Sequence, residues 1–136
     1  MGESKNEAAV QRGKLSHTLI INGTLPGLNE YVNAERSNRY KAAAMKHQVE
    51  SVVIACAKKY LRGVKFEKPV RMEYRWYEPN KRRDKDNVVF AKKFIQDGLV
   101  KAGVLHGDGW KWIESFSDDV QEDKTNPRVE VTISEV

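Results

Sequence analysis

Between Pro69 and Tyr77 the sequence PVRMEYRWY sets Val70, Met72, Tyr74 and Trp76 in strict alternation with Arg71, Glu73 and Arg75. A period of two belongs to a β-strand with one face in a core and the other in water. A helix would scatter the same residues around its circumference. The chain must therefore build a half-covered sheet, and its other segments must supply strand partners and a packing layer. Upstream, HTLIIN from His17 to Asn22 reads as a short buried strand, closed by Gly23 and the Pro26-Gly27 turn. Downstream, KWIESF and RVEVTI read as two further strands, separated by the acidic turn SDDVQEDKTNP.

Two segments supply helices. Ser37 or Asn38 is placed to cap a long helix through Tyr60, ended by Gly63. Its expected core face is Met45, Val49, Val52, Cys56 and Tyr60, which makes Cys56 a core thiol. The preceding LNEYVNAERSN, rich in polar residues and asparagine, reads as a loop or broken helical turn. A second helix is expected from about Asn87 to Ala102, ending at Gly103. The order β-α-β-α-β-β describes an α/β (α+β) fold, a mixed sheet packed with two main helices. Residues 1–15 read as a flexible N-terminal tail and residues 16–136 as one domain.

Composition narrows the classes of function. No apolar run approaches the ~20 residues of a membrane span, so no membrane partner is expected. With one cysteine in 136 residues, neither an internal disulfide nor a Cys-based zinc site can form. No secretory leader is recognisable, and the expected location is cytoplasmic. The net charge of +5 is unevenly spread. Residues 36–62 carry seven Lys/Arg against Glu50, whereas residues 104–123 carry six acids against Lys111. A basic region beside an acidic one suits an enzyme that grips phosphates and holds cations. An ordinary solvated surface has the same composition.

The segment KRRDKDNVVFAKKFIQDGLVKAGVLHGDG concentrates the candidate chemistry. With Asp86 as the zero of a wheel at ~100° per residue, Val88, Ala91, Ile95, Leu99 and Ala102 gather on the opposite, core side. Asp86, Lys93 and Asp97 share one polar stripe, and Lys92 sits nearer the edge of the core face. Asp84 and Asp86 can offer oxygen ligands to Mg²⁺, and the glycine-flanked Asp108 is the best third. Lys93 can stabilise charge growing on a phosphate. Structural readings exist for each: aspartates favour helix starts, and Lys93 with Asp97 is an ordinary i,i+4 pair.

The string RRD-K-DN, an amphipathic helix, VKAGVL and a glycine-flanked aspartate before a strand together resemble the RusA family of Holliday-junction resolvases. The resemblance reaches upstream to LPGLNEY and the basic helix, and downstream to RVEVTI, spanning roughly residues 17–136. It implies a homodimeric endodeoxyribonuclease that recognises four-way junction DNA by shape. It further implies that Asp84, Asp86 and Asp108 hold Mg²⁺ or Mn²⁺ and that a helix lysine assists catalysis. In the family pattern that lysine follows the second aspartate by one turn, where this chain has Phe90. Counting back from KAG leads to Lys93, with Lys92 as the competitor. Gly107-Asp108 also stands where the family often has two acids.

The remaining candidates are auxiliary. Arg36, Arg39, Lys41, Lys46, Arg82 and Arg83 are expected DNA-binding residues, and Asn87 and Asp97 are expected to order the site. His106 is read as a loop histidine, or as a proton shuttle near Asp108. Asp118 and Asp119 belong to the hydrophilic turn or bind a cation. Trp110 and Trp112 can pack on the sheet or stack on an unpaired base; burial is expected for Trp112. The rival to the enzyme reading is a non-catalytic, structure-specific DNA-binding module.

Overall fold

The computed structural model describes residues 15–136, so the expected tail lies outside the described residues except for Leu15. Strand β1 (Ser16–Asn22) is followed by helix α1 (Leu28–Ser37) and helix α2 (Arg39–Tyr60). Strand β2 (Val70–Glu78) leads to a short helix α3 (Lys85–Val88), a 3-10 turn (Val89–Ala91) and helix α4 (Lys92–Lys101). Strands β3 (Ile113–Glu122) and β4 (Arg128–Glu135) complete a four-stranded mixed sheet of order β1-β4-β2-β3. Only β2 and β3 run parallel, and a helical crossover joins them, as parallel neighbours require. The fold is α+β.

The alternation in β2 survives folding intact. Val70, Met72, Tyr74 and Trp76 are buried, and the partner positions Val129, Val131 and Ile133 of β4 lie beside them in the core. Burying side chains of this size contributes about 1.5–3 kcal/mol each. The two helical layers meet closely. A Cβ on Gly98 would come within 2.8 Å of Val53, so a residue without a side chain lets α4 approach α2.

The structure corrects four expectations. LNEYVNAERS is an unbroken ten-residue helix, not a loop or a broken helical turn. Its asparagines face outward, while Tyr31 packs against Phe90 and Phe94 with ring centroids 5.2 and 5.4 Å apart. That aromatic contact, with the Gly27 N–H donating to Glu30 at 3.1 Å, outweighs weak local propensity.

The core face of α2 is rotated from the expected one. Ala42, Val49, Val53 and Ala57 are buried, whereas Val52 is 40% exposed and Met45, Cys56 and Tyr60 are half-buried. Close helix packing selects the small residues Ala42 and Ala57, which a count of large apolar residues passes over. Partial burial still pushes the Cys56 thiol above its ordinary value.

The second long helix is interrupted at 89–91. Val88 and Val89 are β-branched neighbours with restricted rotamers, and Val88 is buried. Finally, Asp118 and Asp119 belong to β3 rather than to a turn. The turn itself is shorter: Asp123 accepts from Thr125 N and Asn126 N and pairs with Arg128.

Candidate active site

The segment RRDKDN is held by two anchors. Arg83 donates to both carboxylate oxygens of Glu78 (2.9 and 3.0 Å), to Leu25 O (3.0 Å) and to Glu30 (3.3 Å). Four of its five N–H groups are therefore committed within the protein. Asn87 Oδ1 accepts from the Asn29 N–H at 3.0 Å, tying α3 to the start of α1. Gly27 makes this fit possible, since a Cβ there would meet Asn87 Oδ1 at 2.5 Å and Arg83 Nη1 at 2.8 Å. Asp84 precedes α3 at its N-cap position, and Asp86 accepts from the Asn87 N–H at 2.9 Å. Both aspartates are exposed, as is Arg82.

At the other end of the crossover, Lys93 bridges two carboxylates. Its ammonium lies 2.7 Å from Asp108 and 3.0 Å from Asp97. Lys93 holds the Asp108 carboxyl below the usual aspartate range, and Asp108 in turn raises Lys93. Asp97 also pairs with Lys46 at 3.4 Å, and Lys46 lies 3.8 Å from Glu50. Glu50 is buried and accepts from Lys101 at 2.6 Å. Alternating charges thus run from α2 across α4 to the Gly-Asp-Gly loop.

Lys92 points elsewhere. It pairs with Asp118 and lies over the rings of Phe116 (4.0 Å) and Tyr74 (5.4 Å). Asp118 also accepts from Trp76 Nε1 at 2.9 Å. Burial pushes the Tyr74 phenol well above its ordinary value, and Gln96 donates to it at 3.1 Å. Sequence reasoning gave Asp118 no place here because it assigned that stretch to a turn. Its spacing from Val120, alternating along a strand, was the available signal.

The three candidate metal ligands do not converge within one chain. Asp108 reaches Asp97 through Lys93, and Asp97 stands eleven residues beyond Asp86, or ~16 Å along a helical axis at 1.5 Å per residue. The 3-10 turn also advances ~120° per residue rather than ~100°, so three residues carry Asp86 about 60° off the Lys93–Asp97 stripe. Among the described residues, no three Asp, Glu, His or Cys side chains form a metal-holding group. Asp84, Asp86 and Asp108 have the right donor chemistry for a hard divalent cation, but one chain does not fit them around one ion.

Arg36, Arg39 and Lys41 are exposed near the α1–α2 junction, where Asn38 caps α2 through Tyr40 N at 2.7 Å. His106 bonds to Glu67 (2.6 Å) and stacks on Trp112 at 4.6 Å, away from any bond to Asp108. Trp112 is half-buried, whereas Trp110 is fully exposed beside a ~350 Å³ cleft that also contains Asp108, Gln96 and Phe116.

No protein-family model matches the chain, and no curated protein matches its sequence. No helix among the described residues is long and apolar enough to cross a membrane.

Proposed function

We propose that this protein is a divalent-cation-dependent endodeoxyribonuclease that cuts four-way junction DNA, as the RusA-like motifs imply. The observation that carries the reading is the Lys93–Asp108 contact at 2.7 Å. It joins the helix lysine to the glycine-flanked aspartate, two parts of the motif read independently from sequence. Asp84 and Asp86, without ion pairs among the described residues and exposed next to an anchored segment, are the proposed partners of Asp108 in holding Mg²⁺ or Mn²⁺. A bound cation would activate water and offset phosphate charge. Lys93 would neutralise charge at the scissile phosphate, and Asp97 would orient it. Arg36, Arg39, Lys41 and Arg82 would grip the backbone; Lys46 and Arg83 serve the protein's own carboxylates. Because no three acids among the described residues of one chain form a metal-holding group, the active form is proposed to be a homodimer. A cytoplasmic location, where DNA is accessible, belongs to the same proposal.

A second reading, a structure-specific DNA-binding module without catalysis, draws on there being no metal-holding group of three acids, histidines or cysteines among the described residues. Four-way junctions labelled on each strand in turn, incubated with Mg²⁺, Mn²⁺ or EDTA, separate the two. Paired, cation-dependent nicks near the crossover are expected of the enzyme. Binding without nicks leaves the module.

A further inference from the structure

Glu50 is a buried acid that the proposed chemistry leaves unused. Its side chain is only 3% exposed. A Cβ on Gly98 would stand 3.4 Å from Glu50 O, so the backbones of α2 and α4 meet beside it. Its two oxygens are matched differently. Oε1 accepts from Lys101 Nζ at 2.6 Å. Oε2 has no hydrogen-bond partner among the described residues and faces Lys46 Nζ at 3.8 Å, beyond hydrogen-bond length. A buried carboxylate is costly unless cations compensate it. Lys46 therefore answers Oε2 by charge, while remaining able to lean toward a second carboxylate.

That second carboxylate is Asp97, and it divides its oxygens in the same way. Oδ2 faces Lys46 at 3.4 Å, and Oδ1 accepts from Lys93 at 3.0 Å. Lys93 reaches from there to Asp108 Oδ2 at 2.7 Å. Lys93, Asp97 and Lys101 recur every four residues along α4, as Lys46 and Glu50 do along α2, so each set forms one stripe. Lys46 sits where the stripes interleave, between one carboxylate of each helix. Glu50 is the buried member of this series, whereas the Lys93 side chain is 61% exposed.

An exposed lysine with a single i,i+4 partner gains little from the pair and keeps much of its rotamer freedom. Confining the partner changes that balance. With Oδ2 held from α2, Asp97 keeps Oδ1 aimed at Lys93, whose ammonium then has two fixed carboxylates to bridge. We propose that Glu50 and Lys46 are positioning residues for Lys93, acting through Asp97 to hold its ammonium beside Asp108. The fixed end of the series lies at the helix contact and the working end at the surface. That the held ammonium serves DNA cleavage rests on the proposed function; the holding itself does not.

The test uses full-length chains with isotope-labelled lysine nitrogen. An ammonium held by carboxylates keeps its protons long enough to give an NMR cross-peak at low temperature, whereas a freely solvated one exchanges them away. The Lys93 peak, assigned by its absence from Lys93→Ala, is expected in the wild type and lost in both Lys46→Met and Glu50→Gln. Lys46→Arg, which keeps the charge, should retain it. Backbone spectra and thermal melts identify the folded variants. Should Glu50→Gln not fold, Lys46→Met decides, because Glu50 reaches Asp97 only through Lys46. In single-turnover nicking at saturating enzyme, Lys46→Met and Glu50→Gln should be slower by about 10–100-fold, the usual loss for a group that orients active-site residues. A Lys93 peak that persists in folded Lys46→Met, or one missing from the wild type, would overturn the proposal. Wild-type nicking by variants that have lost the peak would remove its catalytic part. Peak loss in the variants with no nicking by any chain would uphold the positioning and remove the endonuclease reading.

Discussion

Lys93 and Asp108 approach to 2.7 Å although a helix terminus and a glycine-bounded loop separate them in the chain. The neighbouring Lys92 reaches Asp118 on β3 instead and lies over two aromatic rings. Successive helical residues diverge by ~100°, so adjacent lysines serve two different carboxylates.

Lys93→Ala should reduce junction cleavage about 10²–10³-fold, the usual loss for one charge-stabilising donor, with the melting temperature almost unchanged. Lys92→Ala should do the reverse. Its side chain is only 14% exposed, and its removal leaves Asp118 unpaired against the sheet. Single-turnover rates and thermal melts on both variants provide the measurement. Equal, small effects on cleavage would count against Lys93 as the catalytic lysine.

Asp86→Asn and Asp108→Asn should each abolish cleavage but retain junction binding, because both side chains are surface-accessible and lost negative charge eases approach of phosphate. Mixed after unfolding and refolding together, the two inactive chains should regain nicking. Random pairing makes about half the dimers mixed, each with one intact combination, so about a quarter of wild-type nicking is expected. Absence of recovery would mean that each site is built within a single chain.

The Lys93 ammonium favours the ionised form of Asp108, so the folded-state value lies below the ordinary aspartate value of 3.8. A depressed carboxylate contributes its stabilisation above the unfolded value and loses it as pH falls through the folded value. The pair should thus stay charged throughout the neutral range and fail only in acid. Carbon-detected NMR titration should place the Asp108 midpoint below 3.8 and shift it upward in Lys93→Ala. An unshifted midpoint would mean that the contact does not persist in solution.

Gly27→Ala should destabilise the protein by about 1–3 kcal/mol, the range for overpacking, since its Cβ would strike Asn87 and Arg83. Because those residues anchor RRDKDN, cleavage should fall even at temperatures where the variant is folded. Denaturant melts and cleavage rates at low temperature separate the two effects. A variant as stable as wild type would show that the loop yields easily.

Sequence patterning was most informative where one face of an element meets one layer. The β2 alternation and the Val88–Ala91–Ile95–Leu99 face were both legible, because apolar periodicity directly reports burial. The α2 face was misread because helix–helix approach through Gly98 uses small residues that carry little hydrophobic signal. The Asp86 stripe was drawn across an interruption that the wheel did not contain. A wheel assumes constant pitch, which the 3-10 turn at 89–91 interrupts. The Lys93–Asp97 pair was visible because it lies wholly beyond that interruption.

Strand β4 lies between β1 and β2 in the sheet although it follows both in the chain. As a chain emerges from a ribosome, β1 and both long helices are exposed before the strand that joins β1 to the rest exists. Until residues 128–135 are released, Leu19 and Ile21 have no strand beside them, and the apolar side of β1 depends on helices alone. Productive folding is then a late, concerted event dominated by long-range pairing, which slows it. Cutting the chain before Arg128 would remove the seam of the sheet and not merely a margin. Such fragments should be substrates for chaperones and proteases, not partially active proteins.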